Sequence, residues 1–414
     1  MKYGLIGEHL SHSFSRPIHE RLSGEPYELH ELRPDELGEF LRTEPFKGIN
    51  VTIPYKQAVI PYLDALGPSA AKTGAVNVIV RSEDGRLTGH NTDYDGFVEM
   101  SHAAGVDFRG ARVVVLGAGG AAKAVSAAAL DLGARSLVFA VRSPKAPGQL
   151  SLSEPSKYSD ADILINATPV GMFPKLDGKI LDLSIFPHLR GVLDCIYNPI
   201  RTNLVLDAQA RGIRASGGLR MLVWQAVRAQ ELFRGCTISE EAAMDVYSEL
   251  LKGMRNIVLI GMPSSGKTTV GQRLAAELGM PFTDTDTLVS EAAGMDIPSI
   301  FAAEGESGFR QREHDAIVEA ASMRGVVIAT GGGAVLREDN VRALQQSGIV
   351  CLLDRKPALL EPTEDRPLSQ DREALERLFR ERAPLYLAAA DEVVGNNGTL
   401  DATISEIKSY VTEE

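Results

Sequence analysis

One stretch of sequence decides the fold of the last third of the chain: Gly261-Met262-Pro263-Ser264-Ser265-Gly266-Lys267-Thr268. It matches G-x4-G-K-[ST], follows the apolar run Asn256–Ile260 and opens a helical pattern at Thr269–Leu278. In such a loop, backbone N–H groups and the start of the next helix bind polyphosphate. We therefore predict that Lys267 reaches the β- and γ-phosphates of ATP and that the Thr268 hydroxyl ligates Mg²⁺.

Acidic and basic residues follow this loop in an order that suits phosphoryl transfer. Residues 282–286, Phe-Thr-Asp-Thr-Asp, end a predicted strand, so their two carboxylates are expected on one face. One would lie near Mg²⁺, and the other would accept a hydrogen bond from a substrate hydroxyl. Gly331–Gly333 follow an apolar strand, which indicates close approach of the backbone to a ligand. Arg310, Arg366 and Arg382 together supply positive charge for a carboxylate and a transferring phosphoryl group.

From Asn256 to Tyr410 the chain resembles the shikimate kinase family, because six motifs occur in that family's order. They are the phosphate loop, D-T-D, G-E-x-x-F-R, G-G-G, R-P-L and R-x-x-L-Y. The resemblance implies that the metal is held by Thr268 and Asp284. It implies further ATP contacts at Gly261, Ser264, Ser265, Gly266, Lys267 and Thr269.

The same resemblance implies a shikimate site with an arginine-bearing lid. Its residues would be Asp286, Arg310, Gly332, Gly333 and Arg382, with Arg366 in the lid and Phe301 and Phe309 as pocket walls. Ser264 departs from the family pattern, which usually has glycine there. Because serine keeps the backbone N–H donor, we expect tuning of the loop and no loss of function.

A second glycine-rich loop, residues 117–122, follows the buried run Arg112–Leu116 and opens a helix. It reads G-x-G-x-x-A, which predicts a dinucleotide site; the alternative is a structural turn between strand and helix. No carboxylate closes the next strand to bind a ribose 2′-hydroxyl. Arg142 and Ser143 stand there instead, and an arginine suits a 2′-phosphate, so NADP is favoured over NAD.

The first hundred residues carry polar side chains where a core would not place them. Ser13 and Ser15 precede a helix, Asn77 interrupts an apolar strand predicted at Ala75–Arg81, and Asn91–Asp93 precede another helix. Ser15 and Asp93 have an alternative as helix N-caps, and Lys56 as a surface lysine. Reduction of a ketone by hydride, however, needs a proton donor near the developing alkoxide, and a lysine held by an aspartate supplies one.

From Lys2 to Leu251 these segments resemble the shikimate dehydrogenase family. The matching motifs are H-S-x-S at 12–15, N-V-T-x-P-x-K at 50–56, A-V-N at 75–77, N-T-D at 91–93, G-A-G-G-A at 117–121, N-A-T-P-x-G-M at 166–172, D-x-x-Y-N-P at 194–199 and G-L-x-M-L-x-x-Q at 218–225. The resemblance implies a catalytic dyad of Lys56 and Asp93. It implies substrate contacts at Ser13, Ser15, Thr52, Asn77, Asp93, Tyr197 and Gln225. It implies cofactor contacts at Gly117, Gly119, Gly120, Ala121, Arg142, Ser143, Asn166, Thr168 and Met172.

The cofactor pocket departs from that family on its adenosine side. The family's N-R-T-x-x-[RK] is replaced by residues 141–146, Val-Arg-Ser-Pro-Lys-Ala, so the asparagine is missing and the second basic residue comes one place early. Residues 143–160 are also short and rich in Pro and Ser. We expect the usual helix and strand of this segment to be cut down.

The overall composition limits the classes of function. The chain has 414 residues, 44% hydrophobic and 24% charged, which excludes a disordered chain. A net charge of −12 argues against nucleic acid or an anionic membrane as partner, and no apolar run is long enough for a membrane span. The three cysteines, Cys195, Cys236 and Cys351, form no metal or disulfide pattern, so we expect three buried thiols and a cytoplasmic protein.

Alternating strand and helix patterns predict an α/β protein of three-layer αβα domains. We predict a substrate-binding domain at 1–102, with 218–252 packing back on it, a Rossmann NADP-binding domain at 103–217 and a P-loop kinase domain at 255–414. The predicted function is NADPH-dependent reduction of 3-dehydroshikimate to shikimate, followed by ATP-dependent phosphorylation of shikimate. Two alternatives stay open: an NAD-using quinate/shikimate dehydrogenase, or one half as a degenerate ligand-sensing module. The oligomeric state is left open.

Overall fold

The computed structural model describes residues 2–10, 13–361 and 371–412. The chain divides into two compact units, residues 1–250 and 251–414. The first unit contains two six-stranded sheets, and the second contains one five-stranded sheet. Helices alternate with strands in both units, so the predicted three-layer α/β architecture is confirmed.

The first sheet is mixed, where the sequence predicted mostly parallel strands. Its strands are β1 Tyr3–Gly7, β2 Glu28–Glu31, β3 Gly48–Val51, β4 Ala65–Leu66, β5 Val78–Arg81 and β6 Leu87–His90. Its helices are α1 Ser15–Ser23, α2 Leu37–Thr43, α3 Pro68–Thr73 and α4 Asp93–Ala103. In the order β2-β1-β3-β5-β6-β4, β5 runs antiparallel to β3 and β6. A tight turn joins β5 to β6 and allows them to pair antiparallel. In this turn Gly85 has φ 85°, and its N–H donates to the Ser82 carbonyl.

The second sheet is entirely parallel and doubly wound. Its strands are β7 Arg112–Leu116, β8 Ser136–Val141, β9 Gln149–Ser151, β10 Ile163–Asn166, β11 Gly191–Asp194 and β12 Arg214–Ser216. Its helices are α5 Gly120–Asp131 and α6 Asn203–Gln209, followed by α7 Leu219–Arg234 and α8 Glu240–Met254. The strand order β12-β11-β10-β7-β8-β9 reverses direction beside β7, where such sheets bind ligands outside their carboxyl ends.

The segment between β8 and β10 is reduced, as the sequence predicted. It holds the three-residue strand β9 and a single 3₁₀ turn at Pro155–Lys157, with no α-helix among its residues, all of which are described. The proline and three serines between 151 and 156 explain the loss of the helix, because proline lacks the N–H donor and serine competes for backbone hydrogen bonds.

The sheet of the second unit is also parallel, in the order β14-β15-β13-β16-β17. Its strands are β13 Asn256–Ile260, β14 Phe282–Asp284, β15 Val327–Ala329, β16 Gly348–Asp354 and β17 Glu392–Gly395. Its helices are α9 Lys267–Leu278, α10 Thr285–Ala293, α11 Ile297–Ser322, α12 Glu338–Ser347, α13 Arg372–Ala389 and α14 Leu400–Thr412. Helix α11 is interrupted at Gly305, whose φ of 70° is outside the helical region.

The three cysteines differ in how deeply they are buried. Cys351 is buried, but Cys236 is exposed and Cys195 is half-buried, so the prediction of three buried thiols was wrong. Cys236 follows the C-cap glycine of α7, at a position where the chain has already left the packed helix. In the part of the chain that the structure describes, no helix combines the length and apolar content that a membrane crossing requires.

The two helices that carry catalytic candidates in the first unit, α4 and α7, cross in contact. A Cβ placed on Gly96 of α4 would lie 2.5 Å from the Met221 carbonyl oxygen and 3.0 Å from the Gln225 nitrogen of α7. Only a glycine allows two backbones to come this close. The crossing therefore sets the position of the start of α4 relative to the middle of α7.

We predict that Gly96→Ala lowers the free energy of unfolding of the first unit by about 1–3 kcal/mol, because the new methyl group meets backbone that cannot rotate away. Trp224, the only tryptophan, lies on α7, so its fluorescence during a urea titration reports this unit. His102→Ala is the control, because it also places an alanine on α4 but at an exposed position. An unchanged midpoint for Gly96→Ala would contradict the close crossing.

Candidate active sites

A lysine and an aspartate meet at the carboxyl end of the first sheet. Lys56 follows β3, and its ammonium donates to Asp93 Oδ2 at 2.6 Å. Their side chains are 18% and 11% exposed, so little water separates the charges. Asp93 is the first residue of α4, and the N-cap of that helix is Thr92. Ser15 is likewise the first residue of α1, and the N-cap of that helix is Phe14. The alternatives of an N-cap and of a surface lysine are therefore both wrong.

Asn77 fixes the aspartate from the other side. Its Nδ2 donates to Asp93 Oδ1 at 2.9 Å, while its Oδ1 accepts from the Thr92 backbone N–H at 2.7 Å. The strand predicted over Ala75–Arg81 begins only at Val78. Asn77 therefore lies before the strand, and its side chain holds the entry to α4. The result is a buried carboxylate that keeps one oxygen for the asparagine and one for the lysine.

The other predicted substrate residues lie on three further segments. Ser13 Oγ accepts from the Ser15 backbone N–H at 3.2 Å, and Phe14 between them packs edge-on against the Tyr197 ring at 5.7 Å. Thr52 follows β3 and packs on Gly7, where a Cβ would lie 2.6 Å from its Cγ2. Gln225 is buried where α7 crosses α4. The crossing point on α4 is Gly96, three residues after Asp93.

The dinucleotide loop begins directly after β7. Gly117 has φ 96°, a conformation that favours glycine, and a Cβ there would lie 2.9 Å from Thr168 Cγ2. Gly119 is the N-cap of α5 with no side chain over its N-terminus, which leaves the first helical N–H groups open to a phosphate. A Cβ on Gly120 would lie 3.5 Å from Lys56 Cδ. The aliphatic stem of Lys56 thus lies within van der Waals distance of where a side chain at position 120 would begin, and Ala121 continues α5.

A buried network supports the loop after β10. Asn166 donates to Asp194 Oδ1 at 2.9 Å and accepts from the Thr168 hydroxyl at 2.8 Å. Asp194 also accepts from the Thr202 hydroxyl at 2.7 Å and from the Ile196 N–H at 3.0 Å. Burial nevertheless raises the pKa of Asp194 to about 6. Met172, further along the same loop, is 42% exposed and free to face a cofactor.

The adenosine side carries a basic residue at the end of β8. Arg142 follows the last strand residue and makes no hydrogen bond or ion pair with the described residues, and neither does the exposed Ser143 side chain. The neighbouring loop is fixed to the same strand, because the Gly117 N–H donates to the Ala140 carbonyl at 2.9 Å. A phosphate bound near this strand end would therefore meet an unpaired guanidinium.

In the second unit, the phosphate loop joins β13 to α9. Gly261 and Gly266 have φ values of 144° and 91°, so both positions need glycine. The Lys267 ammonium is buried and donates to the carbonyls of Gly261 and Met262, each at 2.9 Å. The lysine therefore lies across its own loop, where it adds positive charge to the phosphate cradle, and Thr269 continues the first turn of α9.

Two oxygen-bearing side chains that could hold a magnesium ion lie together beside this loop. The Thr268 hydroxyl donates to Asp284 Oδ2 at 2.8 Å. A hydroxyl and a carboxylate fit Mg²⁺, which takes oxygen ligands and is usually bound through few protein groups together with phosphates. Within the described ranges no group of three His, Cys, Asp or Glu side chains could hold a metal by itself.

The two aspartates of the D-T-D motif do not share a strand face, so that expectation was wrong. Asp284 ends β14 and caps α10, with its Oδ1 accepting from the Asp286 N–H at 2.9 Å. Asp286 lies in the first turn of the helix. The two carboxylates still lie in different places. Asp284 contacts Thr268 and Asp286 lies beside Gly331, because the helix cap turns the chain between them.

Around the triple glycine, charged groups of three helices converge. Asp286 Oδ1 lies 2.5 Å from the Cβ position of Gly331, and Arg310 Nη1 lies 1.8 Å from that of Gly333. Arg382 Nη1 donates to the Gly332 carbonyl at 2.8 Å and is buried. No side chain fits at these glycines without displacing the charged groups, which explains the G-G-G motif.

Two residues in this cluster were not predicted from the sequence. Glu313 is 1% exposed, accepts from Arg310 at 2.7 Å, and has a buried Oε1 with no hydrogen-bond partner among the described residues. Burial raises the pKa of its carboxyl. Tyr386 donates to the Gly332 carbonyl at 2.6 Å. The i,i+3 spacing of Glu313 after Arg310 was the available signal for the glutamate.

The predicted pocket walls are in contact, while two residues of the predicted motifs lie outside the described part of the chain. Phe301 and Phe309 stack with ring centroids 4.6 Å apart. Arg366 of the R-P-L motif lies outside the described residues, as does His12 at the start of the H-S-x-S motif.

Comparison with known proteins finds relatives of both parts of the chain. The family model of the shikimate dehydrogenase substrate binding domain matches residues 5–79, and that of shikimate kinase matches residues 263–412. Shikimate dehydrogenase (NADP(+)) of Clostridium beijerinckii is 38% identical over 261 residues, which cover 59% of this chain and 96% of the relative. The chain belongs to the shikimate dehydrogenase family and carries a shikimate kinase domain.

Two solved structures align with the dehydrogenase part. Shikimate 5-dehydrogenase of Thermus thermophilus, in complex with NADP(H) and shikimate, has 30% identity and a TM-score of 0.53, covering 60% of this chain and 99% of that one. Quinate dehydrogenase of Corynebacterium glutamicum, in complex with NAD, also has 30% identity and a TM-score of 0.53, covering 61% and 98%. The two predicted resemblances, and the prediction of an enzyme with a dehydrogenase and a kinase part, are confirmed.

The raised pKa of Asp194 predicts a pH-dependent stability of the dehydrogenase unit. The folded pKa of about 6 exceeds the usual value of about 3.9, so the folded state binds the proton more tightly. This contribution is full below pH ~4 and is lost as the pH rises through ~6. Relative to Asp194→Asn, the wild type should lose about 2 kcal/mol of unfolding free energy between pH 4.5 and 7.5.

Urea titrations followed by Trp224 fluorescence at the two pH values measure this difference. The asparagine variant is its own control, because its absolute stability does not matter, only the change with pH. Parallel pH profiles for the two proteins would show that Asp194 does not titrate as stated.

Proposed function

We propose that the first unit reduces 3-dehydroshikimate to shikimate with NADPH, and that the second unit transfers the γ-phosphoryl group of ATP to shikimate, giving shikimate 3-phosphate. The observation that carries the first activity is Lys56, whose ammonium donates to Asp93 and whose Cδ lies 3.5 Å from the Cβ position of Gly120. The second rests on Thr268 and Asp284 beside the phosphate loop, in the same unit as the charged cluster around Gly331–Gly333.

In the proposed reduction, NADPH supplies the hydride for the carbonyl carbon when it is bound. Lys56 gives a proton to the carbonyl oxygen as negative charge develops there, and it is recharged from solvent. Asp93 accepts a hydrogen bond from the ammonium at 2.6 Å and so holds it in place. Asn77 keeps the aspartate from rotating, so the donor stays aimed at one position.

Polar side chains around the dyad would bind the substrate ring. Hydroxyl and amide groups suit a polyhydroxylated acid, because each can donate to or accept from a ring hydroxyl. The proposed contacts are Ser13, Ser15, Thr52, Asn77, Asp93, Tyr197 and Gln225. Gln225 comes from α7, so the close crossing of α4 and α7 couples substrate contact to the position of Asp93.

The unpaired guanidinium of Arg142 favours NADP as cofactor, since a 2′-phosphate would give it a charged partner. The proposed cofactor contacts are Gly117, Gly119, Gly120, Ala121, Arg142, Ser143, Asn166, Thr168 and Met172. An NAD-using quinate or shikimate dehydrogenase is the alternative. Two observations favour this alternative. Val141 stands where the family has asparagine, and a quinate dehydrogenase solved with NAD is similar to this chain.

In the proposed kinase site, ATP would be held by backbone N–H groups of the phosphate loop and by Lys267. Mg²⁺ would be held by Thr268 and Asp284 and would neutralise phosphate charge when bound. Asp286 would accept the hydrogen bond of the attacking hydroxyl. Arg310 and Arg382 would bind the shikimate carboxylate, with Gly332 and Gly333 giving it room, and Arg366 is proposed as the lid arginine.

The second alternative treats one half as a degenerate sensing module. The intact pairs Lys56–Asp93 and Thr268–Asp284 oppose it, because a module that only senses a ligand has no need of either. With both activities on one chain, the two consecutive steps share one molecule, which raises the local concentration of the first reaction's product. The cytoplasmic location stays a prediction from cysteine usage.

We predict that Lys56→Ala and Lys267→Ala each abolish one activity and spare the other. Loss of the proton donor should slow NADP reduction by shikimate on the order of 10²- to 10⁴-fold. Loss of the loop charge should slow ADP release with shikimate plus ATP by roughly 10²-fold or more. Both assays are run on the full chain.

Each variant serves as the other's folding control, and the exposed Lys47→Ala and Lys252→Ala control for loss of a lysine as such. If either catalytic variant leaves its reaction at the wild-type rate, the site has been assigned to the wrong residues. If the wild type shows only one activity, the silent half is a binding module.

We predict that Arg142→Ala raises the KM for NADPH by roughly 10- to 100-fold, the value of one charge-assisted hydrogen bond, and leaves the KM for NADH within about twofold. Arg135→Ala is the control, because that exposed arginine precedes the amino end of the same strand, β8. A wild type that already prefers NADH would instead support the quinate/shikimate alternative.

A further inference from the structure

The phosphate loop of the kinase unit contains one backbone conformation that is unusual for its residue. Ser264 has φ 62° and is the one described residue other than glycine with a positive φ. An L-residue is strained in this region, and glycine, which the resemblance to shikimate kinases leads one to expect here, would avoid the strain. A compensating interaction of the serine side chain is therefore expected.

The hydroxyl of Ser264 makes that interaction. Its Oγ donates to the Glu361 carbonyl at 2.7 Å, a contact that spans 97 residues of sequence. The acceptor is exposed but directly follows Leu360, which is 1% exposed and belongs to the same core cluster as Leu375 and Leu378. The hydrogen bond thus ties the tip of the loop to a residue next to the core.

The next loop residue is tied from another side. Asn396, directly after β17, donates from Nδ2 to the Ser265 carbonyl at 2.5 Å. Asn396 is buried, and its Oδ1 accepts from the Thr403 hydroxyl of α14 at 3.0 Å, which sets the orientation of the carboxamide. Two consecutive loop residues are therefore held by groups from two distant parts of the chain.

We propose that Ser264 and Asn396 are positioning residues that hold the phosphate loop in its nucleotide-binding shape before the nucleotide arrives. A glycine-rich loop loses conformational entropy when its N–H groups are fixed around phosphates. Two external hydrogen bonds at adjacent residues reduce that loss, because the loop is already ordered. The serine in place of glycine thus gains a contact that glycine cannot make. This proposal rests on the proposed nucleotide site, though not on the identity of the phosphoryl acceptor.

The test is the affinity of the full chain for MgADP, measured by calorimetry, with the KM for ATP and kcat of the kinase reaction. Ser264→Ala and Asn396→Ala each remove one donor without adding charge and should weaken MgADP binding roughly three- to tenfold, with the KM for ATP raised in proportion. Ser264→Asn should restore affinity, since asparagine tolerates positive φ and its amide can donate. Ser322→Ala is the control, because that hydroxyl also donates to a backbone carbonyl, far along the chain from the loop.

Ser264→Gly separates the proposal from its rival. If the serine only strains the loop, glycine will bind MgADP more tightly than wild type, and the proposal is overturned. If the hydroxyl holds the loop, glycine will bind more weakly than wild type. Unchanged affinity in Ser264→Ala also overturns the proposal. Absence of kinase activity in the wild type would refute the proposed function alone, because MgADP binding still decides the role of the loop contacts.

Discussion

Parallel strands bring their carboxyl ends to one edge of a sheet, and the chemistry of both units depends on this constraint. β7 leads into the glycines of the dinucleotide loop, β13 into the phosphate loop, and β15 into Gly331–Gly333. Glycine is required at Gly117, Gly261 and Gly266 by a positive φ, and at Gly331 and Gly333 by charged side chains that occupy the space of a Cβ. The first sheet is mixed, yet β3 still runs parallel to β1 and ends just before the segment that carries Lys56.

The strands that the sequence predicted without error were those buried on both faces. Arg112–Leu116 and Asn256–Ile260 are central in their sheets, so each reads as an uninterrupted apolar run. Leu87–His90 was missed, because it is short, half-buried on alternate residues and paired antiparallel after a tight turn. Asn77 was placed inside a strand because its neighbours are apolar. Its amide instead binds the start of α4, a tertiary contact that no local pattern reveals.

Lys56 and Lys267 could be singled out from the sequence because each stands at a fixed place in a recognisable motif, and the structure gives each a largely buried polar contact. Glu313 was missed for a different reason. A glutamate three residues after an arginine is a common pair on a helix surface, and no local pattern indicates that this one is buried. Its burial depends on the triple glycine and on α10 across from it. The two D-T-D carboxylates were wrongly predicted to share a strand face, because the strand already ends at Asp284. Asp284 caps the following helix, and Asp286 lies in the first turn of that helix.

The proximity of the Lys56 stem to position 120 has a consequence for engineering this enzyme. Residues near a glycine-rich loop of this kind are the usual targets for changing cofactor preference. Here, the Cβ of an alanine at position 120 would lie 3.5 Å from Lys56 Cδ, an ordinary van der Waals distance, so alanine fits beside the stem where it now lies. A larger side chain that extends toward the stem would compete with it for the same space and disturb the ion pair with Asp93. Variants of the loop are therefore to be compared for reaction rate as well as for cofactor preference.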